Sequence, residues 1–363
     1  MTSTPPERVA IVGTGLIGTS IAMAAARVGS SIRGWDPDPD HARRAAERSG
    51  MEPAPTLDAC VADADIVVVC APVEVVPDLV VACLALAPEA IVTDAASIKG
   101  HVAAAVAGVS GSSRFVPGHP MGGSERSGPE HAAPSIVDGI VWVLTPTEGT
   151  APAAVERLSA WIARIGARPV VMEPERHDRL VAFVSHLPQV ASTTLMELAA
   201  TEEADEPEIL LLAAGGFRDL TRLAASNPGL WSAILLANRD AIVPALDLYT
   251  ARLAELRTLI SAGRAADLEA LFDRAKRARL TLAAKPTVRA GVAVLQVQVP
   301  DRPGALAELT SAMAEGGVNI EDLQIVHSPE GGRGTVHLTV AAAEAGAAVD
   351  VLAGRSFDPI RLA

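Results

Sequence analysis

Three glycines near the start of the chain have the spacing of a dinucleotide-binding turn. Gly13, Gly15 and Gly18 lie between an apolar run and a helical pattern. In such a turn the first glycine permits the tight bend, the second lets backbone N–H groups approach a pyrophosphate, and the third lets the helix pack closely on the strand. The anion would lie at the positive end of this helix, beside Leu16 and Ile17. We therefore predict a dinucleotide cradle here, and neither a signal peptide nor a membrane anchor, because more α/β pattern follows and no small-residue cleavage site is present.

An acidic residue supports this prediction and selects the cofactor. Asp36 directly follows a second predicted strand, residues 31–35. A carboxylate about twenty residues after the glycines would accept both hydroxyls of the adenosine ribose and repel a 2′-phosphate. The sequence therefore predicts NAD in preference to NADP.

Two polar segments further along the chain follow predicted strands. In residues 94–100, the hydroxyl of Ser97 and the ammonium group of Lys99 enter a helix near the expected nicotinamide, although a helix cap with a solvated lysine explains this segment equally well. In residues 115–125, His119 lies between a glycine and a proline on a strand-end loop. A histidine of the core rarely needs so rigid and exposed a backbone, so we expect His119 to be functional.

A third polar segment lies within an otherwise apolar helix. Its polar residues fall at helical spacing on one side: Asp178, Ser185, His186 and Gln189. A buried helix does not keep such a stripe without a reason, since unpaired polar groups are costly to bury. A metal site of His and Asp ligands is the main rival explanation, but no zinc-like spacing accompanies it, and we expect no metal.

The elements that position these segments fall into three groups. Predicted strands at 9–12, 31–35, 66–70, 91–94, 114–117, 140–145 and 168–172 alternate with helices, which predicts an α/β Rossmann-type, doubly wound parallel sheet over residues 1–174. Apolar residues then recur at helical spacing, which predicts an all-helical domain over 175–285. The order β-α-β-β-α-β predicts a ferredoxin-like α+β domain over 290–363. The chemistry belongs where the strand ends of the first domain meet the helical domain.

The composition excludes several kinds of partner and suggests a compartment. A formal net charge of −13 argues against nucleic acid or an anionic membrane surface, because both reward basic patches. The three cysteines, Cys60, Cys70 and Cys83, have no C-x-x-C spacing and lie in apolar contexts. We expect reduced thiols and a cytoplasmic protein.

The polar segments carry a resemblance to a known family. The chain resembles the prephenate/arogenate dehydrogenases of tyrosine biosynthesis over essentially its full length. Besides the glycine turn, the matching motifs are Asp-x-x-Ser-x-Lys at 94–99, Gly-His-Pro-Met at 118–121, His-Asp at 177–178, Ser-His-Leu-Pro at 185–188 and Gly-Gly-Phe-Arg-Asp-Leu-Thr-Arg at 215–222. The tail, with Val-Pro-Asp-Arg-Pro-Gly at 299–304 and Gly-Val-Asn-Ile at 317–320, looks like an ACT domain, a module that commonly binds amino acids.

The resemblance implies a reaction and the residues that perform it. A ring hydroxyl carbon of the substrate gives hydride to NAD while the ring carboxylate leaves as carbon dioxide, which converts prephenate to 4-hydroxyphenylpyruvate. His119 matches the family's catalytic histidine, a neutral imidazole that accepts the hydroxyl's hydrogen. Ser97 matches the serine that bridges the hydroxyl and the histidine to the nicotinamide. Arg222 matches the arginine whose planar fork binds the substrate carboxylate.

Further matches and one departure concern the substrate pocket. Asp219 could fix the rotamer of Arg222, and the remaining matches to substrate-binding positions are Ser124, Glu125, His186 and Trp231. Many relatives read Ser-His-Leu-Pro-His, whereas this chain has Gln189 at the final position. An amide donates and accepts but carries no positive charge, so arogenate becomes an alternative substrate to prephenate, and aminodeoxyprephenate a remoter one.

Two other classes of protein compete with this interpretation. Hydroxyacid and imine-reducing oxidoreductases share the first signal, but they place a catalytic lysine in the helical domain, and no lysine lies between Lys99 and Lys276. A non-enzymatic regulator that senses NAD and an amino acid would leave Ser97, His119 and Arg222 unexplained.

Two partners are expected besides the substrate. Residues 209–212 are four consecutive apolar residues, which one helix face cannot bury, and burial entirely within one chain explains them as well as a partner does. The resemblance implies a homodimer built through the helical domain. The ACT-like tail is expected to bind tyrosine as an effector near Asp301, Gly304 and Asn319; the alternative is a tail that only stabilises the dimer.

Overall fold

The computed structural model describes residues 7–123, 126–284, 292–300, 302–326 and 333–362. By their internal contacts they form two compact units, Met1–Ala254 and Glu255–Ala363. The boundary between the units falls within one long helix, Arg239–Ser261. Among the residues just given, no helix is long and apolar enough to cross a membrane.

The first unit begins with a parallel sheet of five strands. They are β1 (Arg8–Val12), β2 (Ser31–Trp35), β3 (Glu52–Pro53), β4 (Ile66–Val69) and β5 (Ile91–Asp94), in the order β3-β2-β1-β4-β5. The helices that alternate with them are α1 (Leu16–Arg27), α2 (Pro39–Ser49), α3 (Leu57–Val61), α4 (Val76–Leu86) and α5 (Gly100–Val106). Side chains alternate along a strand, so Val9 and Ile11 pack in one apolar core while Ala10 and Val12 pack in another. Both faces of the sheet are therefore covered, and the Rossmann-type fold is confirmed.

The later strands of the first unit form a separate, mixed sheet. Strand β6 (Gly118–Pro120) pairs antiparallel with β7 (Val141–Leu144), which pairs parallel with β8 (Arg168–Val171) after helix α6 (Pro152–Arg164). The predicted strand at 114–117 is wrong. Ser112–Arg114 is a 3₁₀ turn, and Phe115 makes a single bridge to Val92. The guanidinium group of Arg114 turns back to donate to carbonyl oxygens after α4, including Ala87 O at 2.8 Å, which ends the extended run there.

A run of helices completes the first unit, and the described residues 174–284 contain no strand. The helices are α7 (Pro174–Val181), α8 (Leu187–Glu202), α9 (Glu208–Leu211), α10 (Gly215–Thr221), α11 (Pro228–Ala237), α12 (Arg239–Ser261) and α13 (Ala265–Ala284), of which α13 belongs to the second unit. A π turn, Ala182–His186, joins α7 to α8, and a 3₁₀ turn, Arg222–Ala225, follows α10. The prediction of an all-helical middle region is confirmed.

The second unit ends in a small α+β fold. Its elements are β9 (Val292–Pro300), α14 (Ala305–Glu315), β10 (Ile320–Val326), β11 (Arg333–Ala341), α15 (Ala345–Gly354) and β12 (Pro359–Leu362). The strands pair antiparallel in the order β10-β11-β9-β12, and the two helices pack on one apolar core with them. This is the predicted ferredoxin-like arrangement.

Candidate active site

The glycine turn after β1 has the geometry of a dinucleotide cradle. Gly13 has a φ of +96°, and a Cβ there would lie 2.2 Å from the carbonyl oxygen of Cys70. A Cβ on Gly18 would lie 2.1 Å from the carbonyl oxygen of Gly13, so glycine is required for α1 to pack against β1. A Cβ on Gly15, by contrast, would meet no atom of the described chain within 4 Å. The turn is therefore closed on the protein side and open where an anion would approach.

The start of α1 lies at this open side. Leu16 and Ile17 form its first turn, and Gly15, the N-cap, has no side chain to occupy the N–H groups there. The twelve-residue helix thus presents unoccupied donors at its positive end, which suits a pyrophosphate.

Asp36 links the end of β2 to the glycine turn. Its Oδ2 accepts hydrogen bonds from Thr14 N at 2.8 Å and Thr14 Oγ1 at 3.2 Å, and its Oδ1 accepts one from Asp38 N at 3.1 Å. A carboxylate oxygen accepts about two hydrogen bonds, so Oδ1 retains capacity for a further donor such as a ribose hydroxyl.

A buried ion pair joins the ends of β5 and β6. Lys99 and Asp94 have fully buried side chains, and the Lys99 ammonium group contacts the Asp94 carboxylate. Lys99 Nζ also donates to Gly118 O at 2.6 Å, while Asp94 Oδ1 accepts from Gly118 N at 3.1 Å. Burial lowers the pKa of Lys99, and the attraction of Asp94 opposes this. The explanation of Lys99 as a solvated lysine is wrong, because its side chain braces the strand that carries His119.

Gly118 makes this close approach of strands possible. A Cβ there would lie 2.7 Å from Thr93 Oγ1, 2.8 Å from Trp142 Nε1 and 2.9 Å from the carbonyl oxygen of Asp94. Any larger residue would push β6 away from β5, and His119 would move with it.

His119 begins a chain of hydrogen bonds that runs into α7. Its Nδ1 lies 2.9 Å from His177 Nε2, and the two rings meet edge to face with centroids 5.1 Å apart. His177 Nδ1 lies 2.8 Å from Asp178 Oδ1. Asp178 also accepts hydrogen bonds from Lys99 N at 2.9 Å and Gly100 N at 2.8 Å. The three polar segments of the sequence therefore meet in one place.

The surroundings of His119 and Asp178 favour opposite charge states. Burial holds the pKa of His119 well below its usual value, and the neighbouring His177, Lys99 and His186 lower it further. Burial alone would raise the pKa of Asp178, but the hydrogen bonds from His177 and from the two backbone N–H groups outweigh it and lower the pKa. At neutral pH, His119 is a neutral imidazole and Asp178 is a carboxylate.

A second histidine is held in a definite orientation nearby. Asn238 Nδ2 donates to the carbonyl oxygen of Asp178 at 2.9 Å and lies 3.1 Å from His186 Nδ1. Because a carbonyl oxygen can only accept, the amide group that faces His186 is the NH₂, and His186 Nδ1 is the acceptor. Burial lowers the pKa of His186 to about 4, and its ring packs edge to face on Trp231 at 6.0 Å. His186 is therefore neutral, with its proton on Nε2.

Other predicted residues lie outside this network. Arg222 and Asp219 are exposed, and among the residues that the structure describes neither forms an ion pair or hydrogen bond, with the other or elsewhere. The amide group of Gln189 is buried and donates to Thr193 Oγ1 at 3.2 Å and Leu223 O at 2.9 Å. Ser97 is half-buried, and its hydroxyl forms no hydrogen bond within the described part of the chain.

Some predicted residues lie elsewhere or beyond description. Ser124, Glu125 and Asp301 fall outside the described residues. In the second unit, Gly304 caps α14 with a φ of +88°, and Asn319 Nδ2 donates to Glu321 Oε1 at 3.1 Å.

Sequence reasoning missed part of the network. His177 appeared only within a motif, and Asn238 was not singled out. Asn238 lies between α11 and α12, and an asparagine at the end of a helix is ordinarily explained as a capping residue. The local sequence therefore does not indicate a buried contact.

The fold and this site together define a class of protein. A nucleotide cradle, a half-buried neutral histidine on a later strand, and a helical domain that supplies its partners are the parts of a nucleotide-dependent dehydrogenase. Three family models match consecutive parts of the chain: "Prephenate dehydrogenase, nucleotide-binding domain" over residues 21–171, "Prephenate dehydrogenase, dimerization domain" over 173–274, and "ACT domain" over 293–353.

Individual proteins that are similar to this chain are also prephenate or arogenate dehydrogenases. The prephenate dehydrogenase of Bacillus subtilis (strain 168) is 32% identical over 341 residues, which is 92% of this chain and 92% of the relative. The crystal structure of prephenate dehydrogenase from A. aeolicus in complex with hydroxyphenyl propionate and NAD+ has a TM-score of 0.73 and 28% identity, and the match covers 77% of this chain and 100% of that one. Synechocystis arogenate dehydrogenase has a TM-score of 0.65 and 30% identity, with coverage of 76% and 99%.

The chain belongs to the prephenate dehydrogenase family. The resemblance stated from the motifs is thereby confirmed, as is the expectation of an oxidoreductase. The ACT match likewise agrees with the ferredoxin-like fold at the end of the chain.

Proposed function

We propose that this protein is an NAD-dependent prephenate dehydrogenase, which converts prephenate to 4-hydroxyphenylpyruvate and carbon dioxide. The observation that carries the proposal is a neutral, half-buried His119 held by His177 at 2.9 Å in a chain of this family. A neutral imidazole is the form that accepts a proton from a substrate hydroxyl.

The cofactor would lie on the glycine turn. Gly13, Gly15 and Gly18 fit a pyrophosphate at the start of α1, and Asp36 fits the adenosine ribose of NAD. When bound, NAD supplies the acceptor for the hydride. The acidic side chain at this position disfavours the 2′-phosphate of NADP.

The chain's own residues would divide the remaining work. His119 takes the proton from the ring hydroxyl, and Ser97, whose hydroxyl has no partner among the described residues, orients that hydroxyl. Arg222 binds a substrate carboxylate. Its guanidinium group is exposed and has no partner among the described residues, so it is free to form this pair. Loss of the ring carboxylate as carbon dioxide makes the product aromatic.

The remaining proposed contacts line the substrate. They are Ser124, Glu125, His186, Gln189, Asp219 and Trp231, carried over from the family motifs. His186 supports its role by presenting a neutral ring whose free proton lies on Nε2, a donor for a substrate oxygen.

Arogenate is a second candidate substrate, and Gln189 favours it. Both N–H groups of the Gln189 amide already donate, to Thr193 and Leu223, so its oxygen is the group with capacity left, with one long contact to Ser226 Oγ at 3.5 Å. An acceptor suits the ammonium group of arogenate better than the keto oxygen of prephenate.

One experiment tests the proposal and separates the candidates. NADH absorbance is followed with prephenate and with arogenate separately, each with NAD and with NADP. We expect NADH formation with prephenate and NAD to have the highest kcat/KM. A higher value with arogenate would establish the second candidate, and no turnover with either would refute the assignment.

We further propose a homodimer that acts in the cytoplasm. Apolar side chains of the helical region lie exposed in the single chain, including Leu211 at 80% and Leu212 at 77%, which a partner subunit would cover. The three cysteines are free thiols, which suits a reducing compartment. Analytical ultracentrifugation tests the dimer, and a monomer at micromolar concentration would refute it.

We also propose that the chain has the domain boundaries 1–174, 175–285 and 290–363. We propose in addition that the ACT domain binds tyrosine near Asp301, Gly304 and Asn319. Asn319 is exposed, with its backbone N–H 3.4 Å from Glu344 Oε2. Tyrosine inhibition measured on the Asn319→Ala variant and the unaltered enzyme tests this. Equal inhibition of both would place tyrosine elsewhere.

A further inference from the structure

The hydrogen bonds between α5, β6 and α7 allow one assignment of protons in which each neutral group is satisfied. Asp178 receives the backbone N–H groups of Lys99 at 2.9 Å and Gly100 at 2.8 Å, one on each carboxylate oxygen. Backbone N–H groups can only donate, so both oxygens are acceptors, and these hydrogen bonds, with that of His177, lower the pKa of Asp178 and keep it ionised. His177 Nδ1, 2.8 Å from Asp178 Oδ1, must therefore carry a proton and donate it.

The assignment then passes to the next ring. In the arrangement with a single proton on His177, that proton is on Nδ1, and the bare Nε2 can only accept. His119 Nδ1 lies 2.9 Å from that nitrogen, so it must be the donor. The proton of His119 is thus on Nδ1, and its Nε2 carries the free lone pair. In water, the Nε2–H tautomer of histidine is the more common one. In that tautomer His119 Nε2 would carry a proton and would have no lone pair to accept one from the substrate.

We propose that His177 and Asp178 are positioning residues that fix His119 as the Nδ1–H tautomer and stabilise the imidazolium that it becomes. This step rests on the proposed dehydrogenase function. The O–H bond of the substrate breaks as its proton bonds to His119 Nε2. The carbon that bears this hydroxyl gives up hydride, for which bound NAD would be the acceptor, so the alcohol becomes a carbonyl. The new positive charge of His119 then faces a chain that ends in a carboxylate.

The charges around His119 show why such support is needed. Desolvation, and then the neighbouring His177, Lys99 and His186, all disfavour a positive charge on His119. Asp94, the carboxylate on β5, is already paired with Lys99. Asp178 is the carboxylate that His177 connects to His119, so its negative charge compensates the imidazolium through one intervening ring.

The first test needs no substrate. The full chain is labelled with ¹⁵N in its eight histidines, and the protonated and bare nitrogens are identified by NMR from their shifts and couplings. The His119→Asn variant assigns the His119 signals by their loss. We expect a protonated Nδ1 and a bare Nε2 at His119. A proton on Nε2 with a bare Nδ1, as a doubly protonated His177 would impose, overturns the proposal.

The second test removes and then restores the acceptor. His177→Leu should lower kcat by about 10²-fold or more while the Kd for NAD stays the same, and the His119 signals should shift toward the Nε2–H tautomer. In His177→Gln an amide oxygen can again accept from His119 Nδ1, so the kcat of this variant should be at least tenfold higher than that of His177→Leu. The exposed His131 supplies the matched control, His131→Gln, with unchanged kcat.

The outcomes separate this proposal from the function on which it rests. If kcat and the His119 signals are the same in His177→Leu as in the unaltered enzyme, the positioning role is refuted although the protein is a dehydrogenase. If the unaltered enzyme oxidises neither prephenate nor arogenate, the proposed function fails, while the NMR result still decides the tautomer.

Discussion

Replacement of Lys99 by methionine should destabilise the protein by about 3 to 5 kcal/mol, the range for breaking a buried ion pair by removal of one partner. The side chains of Lys99 and Asp94 are both 0% exposed, so solvent does not reach the carboxylate that is left behind. Methionine has a similar length and fills the space, so the loss reports the charge rather than a cavity. The carbonyl oxygen of Gly118 would also lose its donor, which lies at 2.6 Å.

The measurement is urea denaturation of the full chain, followed by tryptophan fluorescence and circular dichroism, with both the midpoint and the slope compared. The matched control is Arg43→Met, which breaks an ion pair with Asp40 whose side chains are 62% and 73% exposed. That change should leave the midpoint where it was, since exposed pairs contribute little.

A double variant identifies the cause of the loss. Lys99→Met combined with Asp94→Asn removes the unpaired buried charge, so part of the stability lost in Lys99→Met should return. If the midpoint of Lys99→Met equals that of Arg43→Met, the pair does not brace β5 and β6, and the explanation of how His119 is positioned is wrong.

Three further predictions concern activity. His119→Asn should lower kcat by about 10²-fold or more with NAD affinity retained, while the matched His131→Asn keeps full activity; an active His119→Asn enzyme would move the search to His186. Because the base must be neutral and desolvation lowers the pKa of His119, kcat/KM should hold as the pH falls through 6.5 and decline only in stronger acid; a decline centred at or above pH 6.5 would contradict the lowered pKa of this imidazole. Asp36→Ser should raise the ratio of kcat/KM for NADP to that for NAD and raise KM for NAD, and a wild-type preference for NADP would refute the role of Asp36.

Local features of the chain could be predicted from the sequence. The glycine turn is one, because a Cβ on Gly18 would clash with an atom a few residues away and a Cβ on Gly13 with the end of the adjoining strand. The order of strands and helices is another, since it follows from apolar periodicity. The strand expected at 114–117 failed for a reason that periodicity does not see, namely the Arg114 side chain that turns back to three carbonyl oxygens, one in the last turn of α4 and two just after it.

The partners within the site could not be predicted in the same way. His119 and His177 are 58 positions apart and meet through ring nitrogens. No local pattern specifies that distance, because it depends on how β6 and α7 are placed by the surrounding packing. Lys99 shows the limit most clearly, since a lysine at a helix start is usually solvated, and no local pattern indicates that its ammonium group is buried. Gln189 likewise proved to be tied to Leu223.

The π turn at Ala182–His186 sets the rotational phase of the helix on either side of it. In an uninterrupted α-helix, residues 178 and 186 would point about 80° apart around the axis, because each residue advances about 100°. A π turn takes up one extra residue, which turns everything after it back by roughly 100° and brings the two positions nearly into line. One amide, that of Asn238, can then touch both Asp178 and His186. If the same residues were wound as an uninterrupted α-helix without the loss of one, His186 would turn about 80° away from Asp178 and out of the site, so here a more ideal helix would make a poorer enzyme.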